Sequence, residues 1–334
     1  MGRVTSLFAH KMVASAGDAV DGHALLRVAG LDPDAPRDPK VMISDAAYYA
    51  MLEDMASQTD VTALPITVGA AMRCDEYGAL GLAWKAAPNL LGSFARVERY
   101  ARLWTSVVEY ELRRVERGVL FILHRAGPRR LGMRLSNEAT LASAVSIARQ
   151  VSPVPVVPLE VTVKHPAPRS LAAHEAYFGC PLQFESAYDA LLLSDETLLQ
   201  PNILGDEGIT QFIVSHLDAE IADFETEVDL VRQTKDGIAR ALSEGLPKMA
   251  DVAKGMGFSV RSFHRRLAEH GVSFQVLTEE TRRELALGML RDERYSLSEI
   301  AFLTGFSEQS AFTRAFKRWM GQTPASYRRG GAGS

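Results

Sequence analysis

An internal duplication near the C-terminal end constrains this 334-residue chain more than any other feature. Residues 249–270 and 297–319 each read as a short helix, a glycine turn and a basic helix. Aligning Gly257 on Gly305 brings Phe258 onto Phe306, Ser259 onto Ser307, Val252 onto Ile300 and Ala253 onto Ala301, a period of 48 residues, and sets Phe263 against Ala311 or Phe312. Glycine lets the chain leave a helix in a left-handed conformation that a side chain makes costly. The phenylalanine after it plugs the angle between the helices, and Ser259 and Ser307 are natural N-caps for the next helix. This is the helix-turn-helix pattern.

After each cap the apolar residues fall at helical spacing, Phe263 and Leu267 in one copy and Phe312, Phe316 and Trp319 in the other. The opposite faces hold Arg261, His264, Arg265 and Arg266, and Gln309, Arg314, Lys317 and Arg318. Arginine and glutamine pair with guanine and adenine edges, and scattered Lys and Arg hold phosphates. One such helix alone is as well explained by a solvated surface; two aligned copies point to DNA. Between them, residues 275–291 place Leu277, Thr281, Leu285 and Met289 at helical steps, interrupted only by Gly288. A helix of about 17 residues spans roughly 25 Å, a strut that would let two reading helices enter successive major grooves about 34 Å apart. From Leu246 onward the chain has 14 Lys and Arg against 9 Asp and Glu, a net of +5, while the preceding residues have 23 against 32, a net of −9. A basic module on an acidic body fits a nucleic-acid partner that the overall charge of −4 hides.

The stretches from Ser298 to Ala301, Gly305 to Ser307, Phe312 to Trp319, Gly321 to Pro324 and Tyr327-Arg328 resemble the C-terminal signature of AraC-type transcriptional regulators. The resemblance covers about the last hundred residues and implies an all-α domain with two helix-turn-helix motifs joined by a bridging helix. Carried over by position, it implies base reading by Arg261, His264 and Arg265 from the first copy and by Gln309, Ser310 and Arg314 from the second, with Lys254, Arg266, Lys317 and Arg318 left for phosphates. Leu267 and Leu277 depart from the family's usual aromatic residues but keep apolar volume. His264 is the weakest of the readers, since an exposed helical histidine is usually just solvated.

The preceding two thirds reads as an α+β sensor domain. Residues 18–30, 43–58 (capped by Ser44 or Asp45), 78–86, 90–104, 136–150 and 170–178 are expected to be helical. Residues 106–114 and 119–125 form a hairpin around Glu116-Arg117-Gly118, and 159–165 and 187–193 are further strands. The stretches from His165 to Pro168, Tyr177 to Pro181 and Phe184 through Leu198 to Pro201 resemble the arabinose-binding-like sensor domain of one branch of the same family, which does not itself license arabinose. The closely spaced short strands that a β-barrel sensor needs are missing. Tyr77, Trp84, Trp104, Tyr110 and His124 could line an effector pocket, but their apolar surroundings favour core packing, and no effector site is assigned. His165, His174 and Cys180 are irregularly spaced, and no metal is expected there.

The expected organisation is a regulatory domain over 1–200, a linker helix over 201–225 and the DNA-binding domain over 226–330. In the linker region, Ile209, Ile213, Leu217, Ile221, Phe224, Val228 and Val231 recur at steps of three and four. The stripe either packs on its own domain or forms a homodimer seam, and the sequence favours neither. A helix over 226–243, ending before Gly245, would open the DNA-binding domain.

No Gly-x-Ser-x-Gly elbow, phosphate loop, Gly-x-Gly-x-x-Gly, His-Glu-x-x-His or Cys-x-x-Cys is present, so neither an enzyme nor a cofactor is expected. The two cysteines, Cys74 and Cys180, lie far apart, the N-terminus has no leader pattern, and no run approaches the roughly 18 apolar residues of a membrane span. The expectation is a reduced cytoplasmic protein associated with the nucleoid, whose partners are promoter DNA, RNA polymerase and a small effector. A competing reading, a catalytic or ligand-binding domain tethered to DNA nonspecifically by its basic module, leaves the duplicated pattern without a purpose.

Overall fold

Two sheets organise the first of the chain's two units, Met1–Ile221; the second is Ala222–Ser334. The computed structural model describes residues 2–125, 127, 129–242, 245–292 and 294–331, with backbone alone at 223–229, 330 and 331. In the smaller sheet β1 (Arg3–Thr5) pairs antiparallel with β2 (Met42–Ser44). The larger begins with the expected hairpin, β3 (Val108–Val115) and β4 (Gly118–Arg125), in register from Val108 opposite Arg125 to Val115 opposite Gly118. β5 (Glu160–Thr162), β6 (Leu182–Gln183) and β7 (Asp189–Leu193) complete it in the order β3-β4-β7-β5-β6, antiparallel except between β5 and β6. All five residues of β7 are buried. Its one carboxylate, Asp189, is tolerated there because it accepts hydrogen bonds from Asn137 Nδ2 at 3.0 Å and the Lys164 amide at 2.9 Å.

The helix Leu131–Val151 forms the centre of this unit and is buried along most of its length. Alanines and serines let neighbours approach it closely: a Cβ on Gly69 of the helix Leu64–Ala71 would sit 2.3 Å from the Ala142 Cβ. It starts five residues before the expected Ser136. Gly132 reads as a helix breaker in isolation, yet packing demands it, because a Cβ there would lie 2.5 Å from the Tyr49 carbonyl oxygen. Two of the longer helices of this unit escape sequence reading. Ser6–Ala16 starts at a Thr5 cap with a weakly amphipathic face, and Leu64–Ala71 is a β-branched, glycine-containing run that only packing makes helical.

The segments expected at 206–231 and 226–243 form one helix, Glu207–Leu242, within which the division between the units falls. In the first unit Ile213, Leu217 and Ile221 are buried against Leu80, Ala83 and Tyr100, and Asp218 accepts from the Tyr100 hydroxyl and pairs with Arg99 at 2.8 Å. This much of the stripe is packed on its own domain; Ile209 and Phe212 stay exposed, Phe212 at 78%. The side chains of Phe224 and Val228 lie outside the described residues.

The second unit is helical and has two small cores that share a wall. The bridging helix Phe274–Leu290 contributes Phe274 and Leu277 to a core with Val252, Phe263 and Leu267. About two and a half turns further on, it contributes Ala286 and Leu290 to a core with Ile300, Phe312 and Phe316. Leu267 and Leu277 are both buried, as their apolar volume requires. The architecture is thus an α+β unit and an all-α unit with two helix-turn-helix motifs on a bridging helix.

Candidate nucleic-acid interface and inner cavity

Each helix-turn-helix is closed by the same backbone device. Gly257 and Gly305 have φ of 75° and 76°, and the following amides, Phe258 and Phe306, donate back to the Ala253 and Ala301 carbonyls at 2.8 and 2.9 Å. These bonds satisfy carbonyls left over at the end of the first helix and turn the chain toward the second. In the first copy Ser259 caps Val260–Glu269 by accepting from the Ser262 amide, as expected. In the second, the expected cap Ser307 is passed over: the helix is Gln309–Met320 and its N-cap is Glu308, with no side-chain hydrogen bond. One extra residue between glycine and helix causes the shift. It resolves the alignment, since Phe263 and Phe312 stand at equivalent places four residues past their caps, each fully buried.

In that register Arg261 matches Ser310 and Arg265 matches Arg314, six residues past each cap. Arg261, His264, Arg265, Gln309, Ser310 and Arg314 are all exposed, as are Lys254, Arg266, Lys317 and Arg318. Their ion pairs are surface ones: Arg265 with Glu269 at 3.4 Å, Arg314 with Glu308 at 3.8 Å, Arg318 with Glu279 at 3.0 Å. Such pairs contribute roughly 0–1 kcal/mol and yield readily to a phosphate or base. Arg266 is also stacked over Phe258 at 4.8 Å, a contact that orients it.

Sequence reading misses Arg282. It lies on the bridging helix, donates from Nε to the Thr304 carbonyl at 2.7 Å and from Nη2 to the Gly305 carbonyl at 3.0 Å, and covers the Phe306 ring at 3.6 Å. An arginine in a basic segment reads as one more DNA contact, and only its three-dimensional neighbours reveal that it holds the second turn. Arg328 is similar: it donates to the Tyr295 carbonyl at 2.7 Å while neighbouring Tyr327 packs edge-on against Phe316, so this part of the terminal signature serves the fold.

In the first unit Tyr77, Trp84, Trp104 and Tyr110 line one cavity of about 90 Å³. His124 does not; its Nε2 meets Glu111 Oε2 at 2.6 Å on the hairpin. His165 and His174 do converge, but on a carboxylate: their Nε2 atoms lie 3.1 and 2.6 Å from Glu138, which Arg134 also contacts at 2.9 Å. Burial works to raise the Glu138 carboxyl, and the close approach of His165 and the hydrogen bonds from His174 and Arg134 outweigh it and hold it at about 2. Among the described residues no group of three or more His, Cys, Asp or Glu is arranged to hold a metal ion, and no helix is long and apolar enough to cross a membrane.

A cavity-bearing α+β unit followed by two exposed basic helix-turn-helix motifs defines a DNA-binding regulator with a ligand-binding half. Residues 20–202 match the arabinose-binding domain of AraC transcription regulator, N-terminal, and residues 252–330 match a helix-turn-helix domain. The chain belongs to the AraC family of transcription regulators, a family without enzymatic activity. It is 25% identical over 309 residues to the ornithine utilization regulator of Pseudomonas aeruginosa, covering 92% of this chain and 91% of that one. It is 22% identical to the HTH-type transcriptional regulator VirS of Mycobacterium tuberculosis, covering 91% and 89%. Among solved structures, the transcriptional regulator CdpR from Pseudomonas aeruginosa aligns over 96% of this chain and 98% of that chain, with 20% identity and a TM-score of 0.46.

Proposed function

We propose that this regulator reads an asymmetric promoter site with both helix-turn-helix motifs of one chain, and that an effector in the N-terminal unit changes how it does so. On this reading residues 1–200 sense, 201–225 link and 226–330 bind DNA. Arg265 and Arg314 are the principal base readers, because the corrected register sets them at the same place on both reading helices. That equivalence carries the reading: two side chains able to pair bidentately with guanine, exposed at matching positions. Arg261, Gln309 and Ser310 read flanking bases, and His264 sits on the same face. Lys254, Arg266 and Lys317 meet phosphates, and Arg318 joins them by exchanging Glu279 for a phosphate. Bound at a promoter, the protein contacts RNA polymerase. If the chain self-associates through the helix Glu207–Leu242, Ile209 and Phe212 are exposed apolar side chains available for it among the described residues, since Ile213, Leu217 and Ile221 are already covered.

The test is a salt titration of the full chain on its selected DNA site and on random duplex. Both affinities fall as salt displaces phosphate contacts, and a regulator retains a specificity ratio of about a thousandfold or more. A ratio near one at every salt concentration refutes sequence reading and leaves only nonspecific tethering.

A further inference from the structure

The cavity in the first unit has a one-sided chemistry. Its walls bring together Phe8, Tyr48, Tyr77, Trp104, Tyr110 and Phe121, and none of its lining residues is Asp, Glu, Lys, Arg or His. Three of the polar groups on its walls are already engaged with backbone. Thr140 Oγ1 donates to the Ser136 carbonyl at 2.8 Å, Ser143 Oγ to the Ala139 carbonyl at 2.6 Å, and Cys74 Sγ to the Gly81 carbonyl at 3.0 Å. Removal from water pushes the Tyr110 phenol and the Cys74 thiol up to about 12 and the Tyr77 phenol well above its ordinary value, so the walls hold no charge at neutral pH. The Tyr77 and Tyr110 phenols also line it, and one fully enclosed donor stays unpaired. Trp84 also lines the cavity, is 3% exposed, and its indole N–H has no hydrogen-bond partner among the described residues. The residue is fixed in place, its ring edge-on to Phe94 at 4.9 Å and its carbonyl accepting from Ser93 at 2.8 Å.

We infer that this cavity is the effector site and takes a small uncharged aromatic molecule bearing a hydrogen-bond acceptor, the ring lying among the aromatic walls and the acceptor meeting the Trp84 N–H. The inference rests on the reading of the first unit as the effector-binding half. A free amino acid or a carboxylate entering would shed its hydration with no counter-charge to replace it, and a sugar would bring more hydroxyls than the walls have unengaged partners. A buried donor left unpaired is costly, and an acceptor on the ligand removes that cost. The cavity of about 90 Å³ is smaller than the roughly 150 Å³ that admits benzene in an engineered core. Met12 and Met72 line it, and their unbranched, flexible side chains can give way to a ring.

Isothermal titration of the full chain with acetophenone, ethylbenzene, benzoate and L-ornithine tests this, because the first three share a ring and differ in acceptor and charge. Acetophenone should bind one per chain, ethylbenzene about tenfold more weakly for want of an acceptor, and benzoate and ornithine at least about a hundredfold more weakly. Trp84→Phe should collapse the acetophenone preference over ethylbenzene toward one. Ala139→Leu should fill the space and abolish binding of both, with circular dichroism confirming the fold. Equal or tighter binding of benzoate or ornithine, no heat from either neutral probe up to its solubility limit, or a preference that survives Trp84→Phe overturns the inference. Repeating the DNA titration with each bound ligand separates the two levels. A charged ligand that shifts DNA affinity sinks the ligand class but keeps effector control, whereas a neutral ligand that binds without moving DNA affinity keeps the cavity chemistry and sinks effector control by it.

Discussion

In the first helix-turn-helix the glycine turn stands in open space, with nothing within 4 Å of where a Cβ on Gly257 would be, and a serine caps the reading helix. In the second, a Cβ on Gly305 would come within 2.9 Å of Leu242, Arg282 holds the turn's carbonyls, and the reading helix has no side-chain cap. The first copy is therefore organised by its own residues and the second by its neighbours. A capping box of Ser296 and Glu299 sits instead on the second copy's leading helix. The same sequence pattern thus reaches one geometry by two routes, and substitutions can tell the routes apart.

The largest effects test what the copies share. Phe263→Ala and Phe312→Ala each remove a fully buried ring and should each cost about 3–5 kcal/mol in urea unfolding; a markedly smaller loss in one copy would mean that its core is not closed around the ring. Next comes the difference. Arg282→Ala removes two charge-assisted hydrogen bonds and a ring contact and should cost about 2 kcal/mol. Footprinting should show the loss of contact concentrated on the second half of the DNA site, and uniform loss across both halves would break the assignment.

Arg265→Ala and Arg314→Ala should each weaken binding to the selected site by about 1–3 kcal/mol and relax base preference in one half only, whereas Lys317→Ala should weaken all sequences alike and reduce the salt slope by about one. Equal losses on every duplex for all three would contradict the roles. The smallest effects bear on the caps. Ser259→Ala should lower stability by about 1 kcal/mol, because it strips the hydrogen bond to the Ser262 amide. Ser307→Ala, whose side chain caps nothing, should change the melting curve by no more than about 0.5 kcal/mol. Equal losses would place a cap at Ser307 after all.

Much of the interface is legible in the sequence because it is built from local rules. The glycines need a left-handed backbone, the phenylalanines recur at helical steps, and the charges lie opposite them. What is not legible depends on an extra residue or a distant partner. Ser307 has the chemistry of a cap, but the shifted register moves that duty to Glu308. Arg282 has the chemistry of a DNA contact, but folding brings the Thr304 and Gly305 carbonyls to it. Leu217 and Ile221 have the spacing of a dimer seam, yet Leu80, Ala83 and Tyr100 cover them within the same unit.

By itself the sequence determined the repeated motif, its glycine turns, the hairpin and the exposed basic faces, since each follows from residues within a few positions of one another. The tertiary structure alone decided the cavity, whose walls run from Phe8 to Ile147 in chain order, and the place of the Glu138 cluster, joined from residues 134 to 174. An enclosed space belongs to no single segment. It exists only where several packed elements fail to fill the volume between them, and side-chain periodicity has no means of encoding that volume.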